Sequence, residues 1–351
     1  MSSTAAVIEH FVEQARFCEA YGSPFMARLL EALGRDIEAG GPTADLVAGW
    51  PRSPRADALS LRIAGALHAA VLSMRDPALA AEYPEARPAW DMARVWPLAR
   101  DFLARERDWV ASFLGSAPQT NETRRTIALL AGFLFLAARY DLELELLEIG
   151  ASAGMNLYWD RFAYRTASWS WGDGDVQIST QWTGPPPPQG AVPRIRARAA
   201  CDLNPIDVRD PAERLRLRAY VWADQTERLA RFDAAAALAV AHDVRVDRAD
   251  AAEWLEARLP RRSPDALTVV YHSVFYQYPR QETRQRIASA IERAGQSAAA
   301  PLAWLRLEPE GILGGPRDGG RFLVDLVTWP GGERRTLATT DGHGNFVHAL
   351  A

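Results

Sequence analysis

From Ile8 onward, apolar residues recur at the spacing of one helix face: Ile8, Phe11, Val12, Ala15 and then Phe17-Cys18. Ser23-Pro24 opens a second predicted helix. Pro24 falls in its first turn, where a missing N–H costs nothing, and Phe25, Leu29, Leu30 and Leu33 form its apolar stripe. The same rhythm predicts a third helix over Ala58 to Met74. A fourth spans Trp90 to Leu114, kinked or broken at Pro97. A fifth runs through "ETRRTIALLAGFLFLAARY", capped by Thr120 or Asn121. No strand pattern interrupts residues 1–140, which read as an all-helical N-terminal domain.

From residue 141 the pattern changes. "LELELLEIG" is a buried strand ending in glycine, and "RIRARAACDLNP" is a strand ending in Asp202. Arg218 to Ala241 has helical spacing. "DVRVDRAD" reads as a strand ending at Asp250, followed by a helix through Trp254 and Leu259. "ALTVVYHSV" and "PLAWLRLEP" are two more strands, separated by the helix "TRQRIASAIERAG". The terminal "RFLVDLVTWPGGERRTLATTDGHGNFVHAL" predicts two strands around Pro330-Gly331-Gly332. Strands alternating with helices predict an α/β fold over 141–351, a parallel doubly wound sheet closed by a β-hairpin. Residues 161–193 interrupt it. Their "ASWSWGDGDVQISTQW", with alternating Trp169 and Trp171, predicts an aromatic hairpin that either packs or lids a site, and Pro185 to Pro188 form a stiff loop.

The stretch "LLEIGASAGMNL" poses the chemical question. Gly150-Ala151-Ser152-Ala153-Gly154 fits the G-x-S-x-G elbow of a serine hydrolase, with Ser152 as nucleophile. Asp325 and His343 follow in the order a triad needs. That fold also requires strands and a His-Gly-Gly oxyanion motif before the elbow, and here everything upstream reads as helix. The second reading makes the stretch a strand-end cofactor loop, in which Gly150 and Gly154 let backbone approach the ligand closely. Ser152 then stands at the middle glycine and touches the cofactor, with Asn156 further along the loop. Asp202 binds ribose hydroxyls at the second strand's end. Asp250, followed by Ala251, accepts from an adenine amino group at the third. Glu148 faces a cationic end of the ligand. Acids in these places suit S-adenosylmethionine (SAM) and would repel a pyrophosphate. The G-x-G-x-x-G register of NAD sites is also absent. The plainer role for each acid is to cap the next helix. Asp202 lies about 50 residues after the loop rather than the usual ~20, so the 161–193 insertion must loop out.

Longer motifs carry a family resemblance. "QTNETRRTIALL", "LLEIGASAGMNLYWDRFAY", "CDLNPIDVRDPAERLRLRAYVWADQTERLARFDAA", "VVYHSVFYQY" and "DGHGNFVHAL" together resemble the bacterial domain of unknown function 2332 over nearly the whole chain. That family is regarded as similar to class I SAM-dependent methyltransferases. The resemblance implies a methyltransferase-like Rossmann domain and SAM as cofactor. It supplies no substrate.

Other residues can serve such a site. His272, at the end of the fourth strand, is the candidate general base for an acceptor hydroxyl or amine. A hydrogen-bonded core histidine is its plainer role. Tyr276 and Tyr278 can wall the pocket or support a sulfonium through cation–π contact. Gln119, Asn121 and Glu122 of "QTNE" open the helix before the glycine loop and are expected to reach cofactor or substrate. Asp160, Arg161 and Tyr164 either face the same cleft or pair at the surface. His343 lies in a Gly-His-Gly turn near substrate. His343 and His348 are an odd number apart and would point to opposite faces of one strand, so no metal site is expected. Arg194, Arg196 and Arg198 share one strand face, either solvated or meeting an acidic partner.

Composition narrows the function classes. All 40 basic residues are arginine, which excludes a pyridoxal-phosphate Schiff base, a Walker lysine and a lysine general base. The net charge of −4 gives no electrostatic case for nucleic acid or an anionic membrane. Cys18 and Cys201 are too few for a disulfide framework. The N-terminus shows no secretory signal. The most apolar run, Ile127 to Ala138, covers only about 18 Å against a bilayer core of about 30 Å. The expectation is a cytoplasmic protein that methylates a small molecule with SAM. The alternatives are a serine hydrolase using Ser152 and a non-catalytic SAM-fold binding protein. The sequence sets no oligomeric state.

Overall fold

Polar caps and apolar stripes set the helices where the pattern places them. α1 (Thr4–Ala20) starts at Ser3, whose hydroxyl accepts the Ala6 N–H, and α2 (Pro24–Glu38) has Pro24 at its first position. Two short helices that the pattern does not signal follow at α3 (Pro42–Val47) and α5 (Pro77–Glu82), either side of α4 (Leu59–Leu72). The fourth predicted helix is two, α6 (Met92–Arg105) and α7 (Arg107–Leu114), and the break is at Glu106 rather than Pro97. Pro97 is the sixth residue of α6, so its missing N–H removes one bond, to the Ala93 carbonyl, and the helix continues.

The computed structural model describes residues 2–297, 300–316 and 320–350. The chain forms two compact units, Met1–Thr120 with Arg209–Ala230, and Asn121–Val208 with Arg231–Ala351. This division differs from the one drawn at residue 140. In the first unit Phe11, Phe25, Leu29, Leu30, Leu33, Ile63, Leu67 and Phe102 share a core with Tyr220 and Trp222. Asp224 accepts from the Phe25 N–H at 3.0 Å and from the Ser23 hydroxyl, capping α2. A cap and two aromatic anchors thus come from about 200 residues downstream, which local periodicity cannot register. The helix read as Arg218 to Ala241 is interrupted, as α9 (Pro211–Ala219) and α10 (Thr226–Ala241).

The second unit begins with α8 (Thr126–Arg139), which runs into β1 (Glu143–Ile149). α8 is preceded by a 3₁₀ turn over Thr123–Arg125 that Glu122 caps, its carboxylate accepting the Arg124 N–H at 3.1 Å. After β1 come β2 (Phe162–Arg165), β3 (Ser170–Trp171), β4 (Val176–Ser179), β5 (Gln181–Thr183) and β6 (Ile195–Asp202). Then follow β7 (Asp247–Arg248), α11 (Ala251–Arg258), β8 (Ala266–Ser273), α12 (Gln281–Gln296) and β9 (Leu302–Pro309). β10 (Phe322–Trp329), β11 (Glu333–Thr340) and β12 (Phe346–Ala349) close the chain. Among the described residues nine strands form one sheet in the order β5-β12-β11-β10-β9-β8-β1-β6-β7. The β9-β8-β1-β6-β7 portion is parallel, and β10, β11 and β12 continue it antiparallel. The fold is therefore α/β with a large, mostly parallel sheet. The predicted terminal hairpin is a three-stranded meander, and β5 of the insertion pairs with β12.

Period-two alternation divides the sheet's faces. Ile149, Val270, Leu302 and Trp304 share a core with Trp254 and Leu255 of α11 and Ile287 and Ile291 of α12. On the other face Leu305 packs against Gly132 of α8. The insertion is not a simple hairpin. β2 pairs antiparallel with β3 and parallel with β4 in a separate three-stranded sheet. Trp169 is buried edge-on to Trp182, and Trp171 leans on Trp159 and Tyr164, so both tryptophans pack rather than lid.

Candidate functional site

β1 lies between β6 and β8, and the chain goes from β1 to β6 on one side before it returns to β8 on the other. Such a reversal leaves a crevice outside the carboxyl ends of the strands, the usual ligand position in an open parallel sheet. The loop at that edge carries three left-handed residues, Gly150 (φ +66), Ser152 (φ +54) and Gly154 (φ +68). A chain alternating through that region cannot enter an α-helix. Accordingly tight turns and a 3₁₀ turn over Trp159–Arg161 follow β1, not the helix that a cofactor loop or nucleophile elbow would lead into.

Two polar side chains hold this loop. Asp202 Oδ2 accepts the Ser152 N–H at 2.8 Å, and its Oδ1 accepts the Asn204 N–H at 2.8 Å. Asn121 Oδ1 accepts the Met155 N–H at 3.1 Å. The Asn121 end of "QTNE" therefore reaches the loop itself. Glu122 is buried, and besides capping the 3₁₀ turn it meets the buried Arg231 guanidinium at 3.4 Å. Gln119 belongs to the other unit. Asp250 caps α11, with Oδ1 accepting the Ala252 and Glu253 N–H groups at 2.9 and 3.3 Å, and Ala251 is that helix's first residue. The plainer role holds for Asp250, and the capping geometry leaves its second oxygen outside these bonds.

Glu148 is 3 % exposed. Its Oε2 accepts the Tyr271 hydroxyl at 3.1 Å, across the in-register β1–β8 pair. Burial, with Asp202 nearby, pushes its carboxyl up to about 8 against the pull of the Tyr271 hydrogen bond. At neutral pH it is mostly protonated, so in this state it is not the fixed negative charge expected to face a cation. Beside Tyr271 stand Phe133, edge-on at 5.2 Å, and Trp159, stacked on Phe133 at 4.0 Å. The Arg198 guanidinium donates to both Asp160 oxygens at 2.6 Å and lies over the Tyr158 ring at 4.4 Å. Asp160 is thus tied inward, Arg161 is exposed, and Tyr164 is fully buried with its hydroxyl on the Trp159 carbonyl at 2.8 Å. Tyr164 does not face a cleft. Asn156 is buried, and its Oδ1 has no partner.

His272 is fully buried with both ring nitrogens engaged. Trp304 Nε1–H can only donate, at 3.2 Å to Nε2, so Nε2 accepts and the proton sits on Nδ1. Nδ1–H donates to Glu308 Oε1 at 2.7 Å. Burial also holds the imidazole below its ordinary range. This neutral, enclosed ring is a core histidine, and the geometry gives it no path to an acceptor. Tyr276 is stacked on it at 5.3 Å with its hydroxyl on the Arg284 carbonyl at 2.6 Å, whereas Tyr278 is 75 % exposed. His343 stands half-buried in a turn that Asp341 organises, and Arg125 Nε donates to the neighbouring Gly342 carbonyl at 2.7 Å. Asp325, the acid of the hydrolase reading, is fully buried and held by Arg306 and Arg334. Arg194 and Arg196 pair with Asp141 and Glu145, so the arginine row meets acids of its own unit.

Sequence reasoning missed Phe275, Glu308, Trp304 and Tyr271. Glu308 Oε1 accepts three donors: His272 Nδ1–H and the Phe275 and Tyr276 N–H groups at 2.8 and 3.0 Å. A lone carboxylate inside the apolar "PLAWLRLEP" was the available signal. Among the described residues no three His, Cys, Asp or Glu side chains gather as metal ligands, and no helix is long and apolar enough to cross a membrane.

The family model described as an uncharacterised protein conserved in bacteria, DUF2332, matches residues 8–348. The chain belongs to that family. Neither the curated proteins nor the solved structures give a match. The DUF2332 match spans both units, so the glycine loop, the acid-tipped strands and the helical segments all fall within it.

Proposed function

We propose that this DUF2332 protein is a SAM-dependent methyltransferase of the class I type, acting on a small molecule at the carboxyl edge of β1, β6, β7 and β8. The observation that carries the reading is Asp202, at the tip of β6, locked onto the left-handed β1 loop through the Ser152 N–H. The strand order β7-β6-β1-β8-β9, third-second-first-fourth-fifth among the parallel strands, supports it as the order of a doubly wound nucleotide-binding sheet.

The residues fit SAM in most respects. Each Asp202 oxygen uses one acceptor position on backbone, and carboxylate oxygens have room for more. Asp202 can take ribose hydroxyls, Asp250 can accept from an adenine amino group, and Gly150 presents bare backbone. SAM, when bound, supplies a methyl group on a positively charged sulfur that is open to in-line attack. The chain's part is then proximity and orientation. Asp202 and Asn121 fix the loop, Tyr271 and Glu148 offer a polar floor beside it, and Tyr278 stands exposed past the end of β8. His272 takes no proton in this scheme. A cationic group near Glu148 favours the ionised carboxylate.

Isothermal titration with SAM and S-adenosylhomocysteine, followed by methyl transfer over a panel of hydroxyl, amine and thiol acceptors, tests the reading. Binding with turnover is expected. The enclosed His272 favours a second reading, a SAM-fold binding protein without catalysis, which binding without turnover over that panel would support.

A further inference from the structure

We propose that Phe275 is a movable occupant of the ligand site, seated over Gly150 and displaced when a ligand enters. The inference rests on the ligand site proposed above. A Cβ placed on Gly150 would lie 2.1 to 2.9 Å from Phe275 side-chain atoms, so the ring covers the bare peptide that the loop presents. Phe275 lies at the exit of β8, half-buried, and packs on the edge of the core that holds Ile149 and Val270 rather than inside it. The residue before it, Val274, stands at φ +53, a region that β-branched side chains avoid. Backbone strain of this sort collects at ligand clamps and switch segments.

The loop's backbone is pinned while the ring is not. Glu308 Oε1 holds the Phe275 and Tyr276 N–H groups, and the Val274 N–H donates to the Leu307 carbonyl at 2.8 Å. His272 donates to the same Glu308 oxygen and touches the Phe275 ring edge-on at 5.6 Å. Glu308 and His272 are thus positioning residues. The phenyl ring carries no hydrogen-bonding group, so rotation about its Cα–Cβ bond moves the ring off Gly150 without breaking a hydrogen bond of its own.

The test compares the full-length protein with Phe275→Ala and Phe275→Leu. S-adenosylhomocysteine is titrated by calorimetry, and hydrogen exchange of residues 150–156 is followed without ligand. Phe275→Ala is expected to bind about tenfold tighter, as for an open state populated about one tenth of the time, with Phe275→Leu between the two. Residues 150–156 are expected to exchange faster in both variants. Equal or weaker binding by both folded variants overturns the proposal. If no protein binds the probe, the cofactor reading fails separately and exchange decides. Unchanged protection in both variants then overturns the role of Phe275, and faster exchange supports it.

Discussion

Replacing Glu148 with Gln removes a titration that the fold holds far from its ordinary range. The unfolded chain ionises this carboxyl near 4.5, and burial raises it to about 8 in the folded protein. Between those values the unfolded state has lost a proton that the native state keeps. Stability therefore falls as pH rises through that window, by about 1.36 kcal/mol per pH unit. Below it both states are protonated and the penalty is absent. Above it both are ionised and the penalty is constant, roughly 5 kcal/mol if nothing around the carboxylate relaxes. Gln keeps a carbonyl for the Tyr271 hydroxyl and cannot ionise. E148Q should match the wild type within about 1 kcal/mol at pH 5 and exceed it by about 3 to 5 kcal/mol at pH 8. Denaturant unfolding followed by circular dichroism at pH 5, 6.5 and 8 measures the gap. A gap that stays constant across the three values refutes the reasoning.

Three further substitutions probe the neighbourhood. Asp250→Ala should cost about 1 kcal/mol as a lost cap, and a drop in S-adenosylhomocysteine affinity measured on the same folded variant would show a ligand role as well. Gly154→Ala should destabilise by about 2 kcal/mol or more, because its φ is +68 and a Cβ would lie 2.7 and 2.8 Å from Val244 and Val246; a thermal melt equal to the wild type's would contradict this. Arg198→Met strips the bidentate partner from Asp160, which is 13 % exposed. It should cost about 3 kcal/mol, and the added change Asp160→Asn should recover part of that loss in the same denaturant assay.

Much of the sheet was legible because β8 and β9 are apolar on both faces, β1 and β6 alternate apolar with charged residues, and the strands end in turn residues. β1, β6, β8, β9 and β10 fall where those patterns place them. The strand read through "DVRVDRAD" keeps only the two residues of β7, and the four-residue β12, just past a glycine-rich turn, is too short for its alternation to register. Asp202, Asn121, Gly150 and Gly154 come together at one edge because strand ends and loop glycines are visible in sequence. His272 was legible as a residue but not as a neutral, enclosed ring, since Trp304 and Glu308 lie more than 30 positions away. Phe275 was passed over for Tyr276 and Tyr278, which follow it, although it is the ring that meets Gly150. Tyr164 looked like a cleft residue because nothing local reveals that its hydroxyl turns inward to Trp159.

The central claim is that the loop pinned by Asp202 receives SAM. Calorimetric titration of the wild type and Asp202→Ala with S-adenosylhomocysteine tests it most directly. The account predicts binding by the wild type and at least tenfold weaker binding by a folded Asp202→Ala. No heat of binding from the wild type at millimolar ligand, or equal affinity in the two proteins, would contradict it.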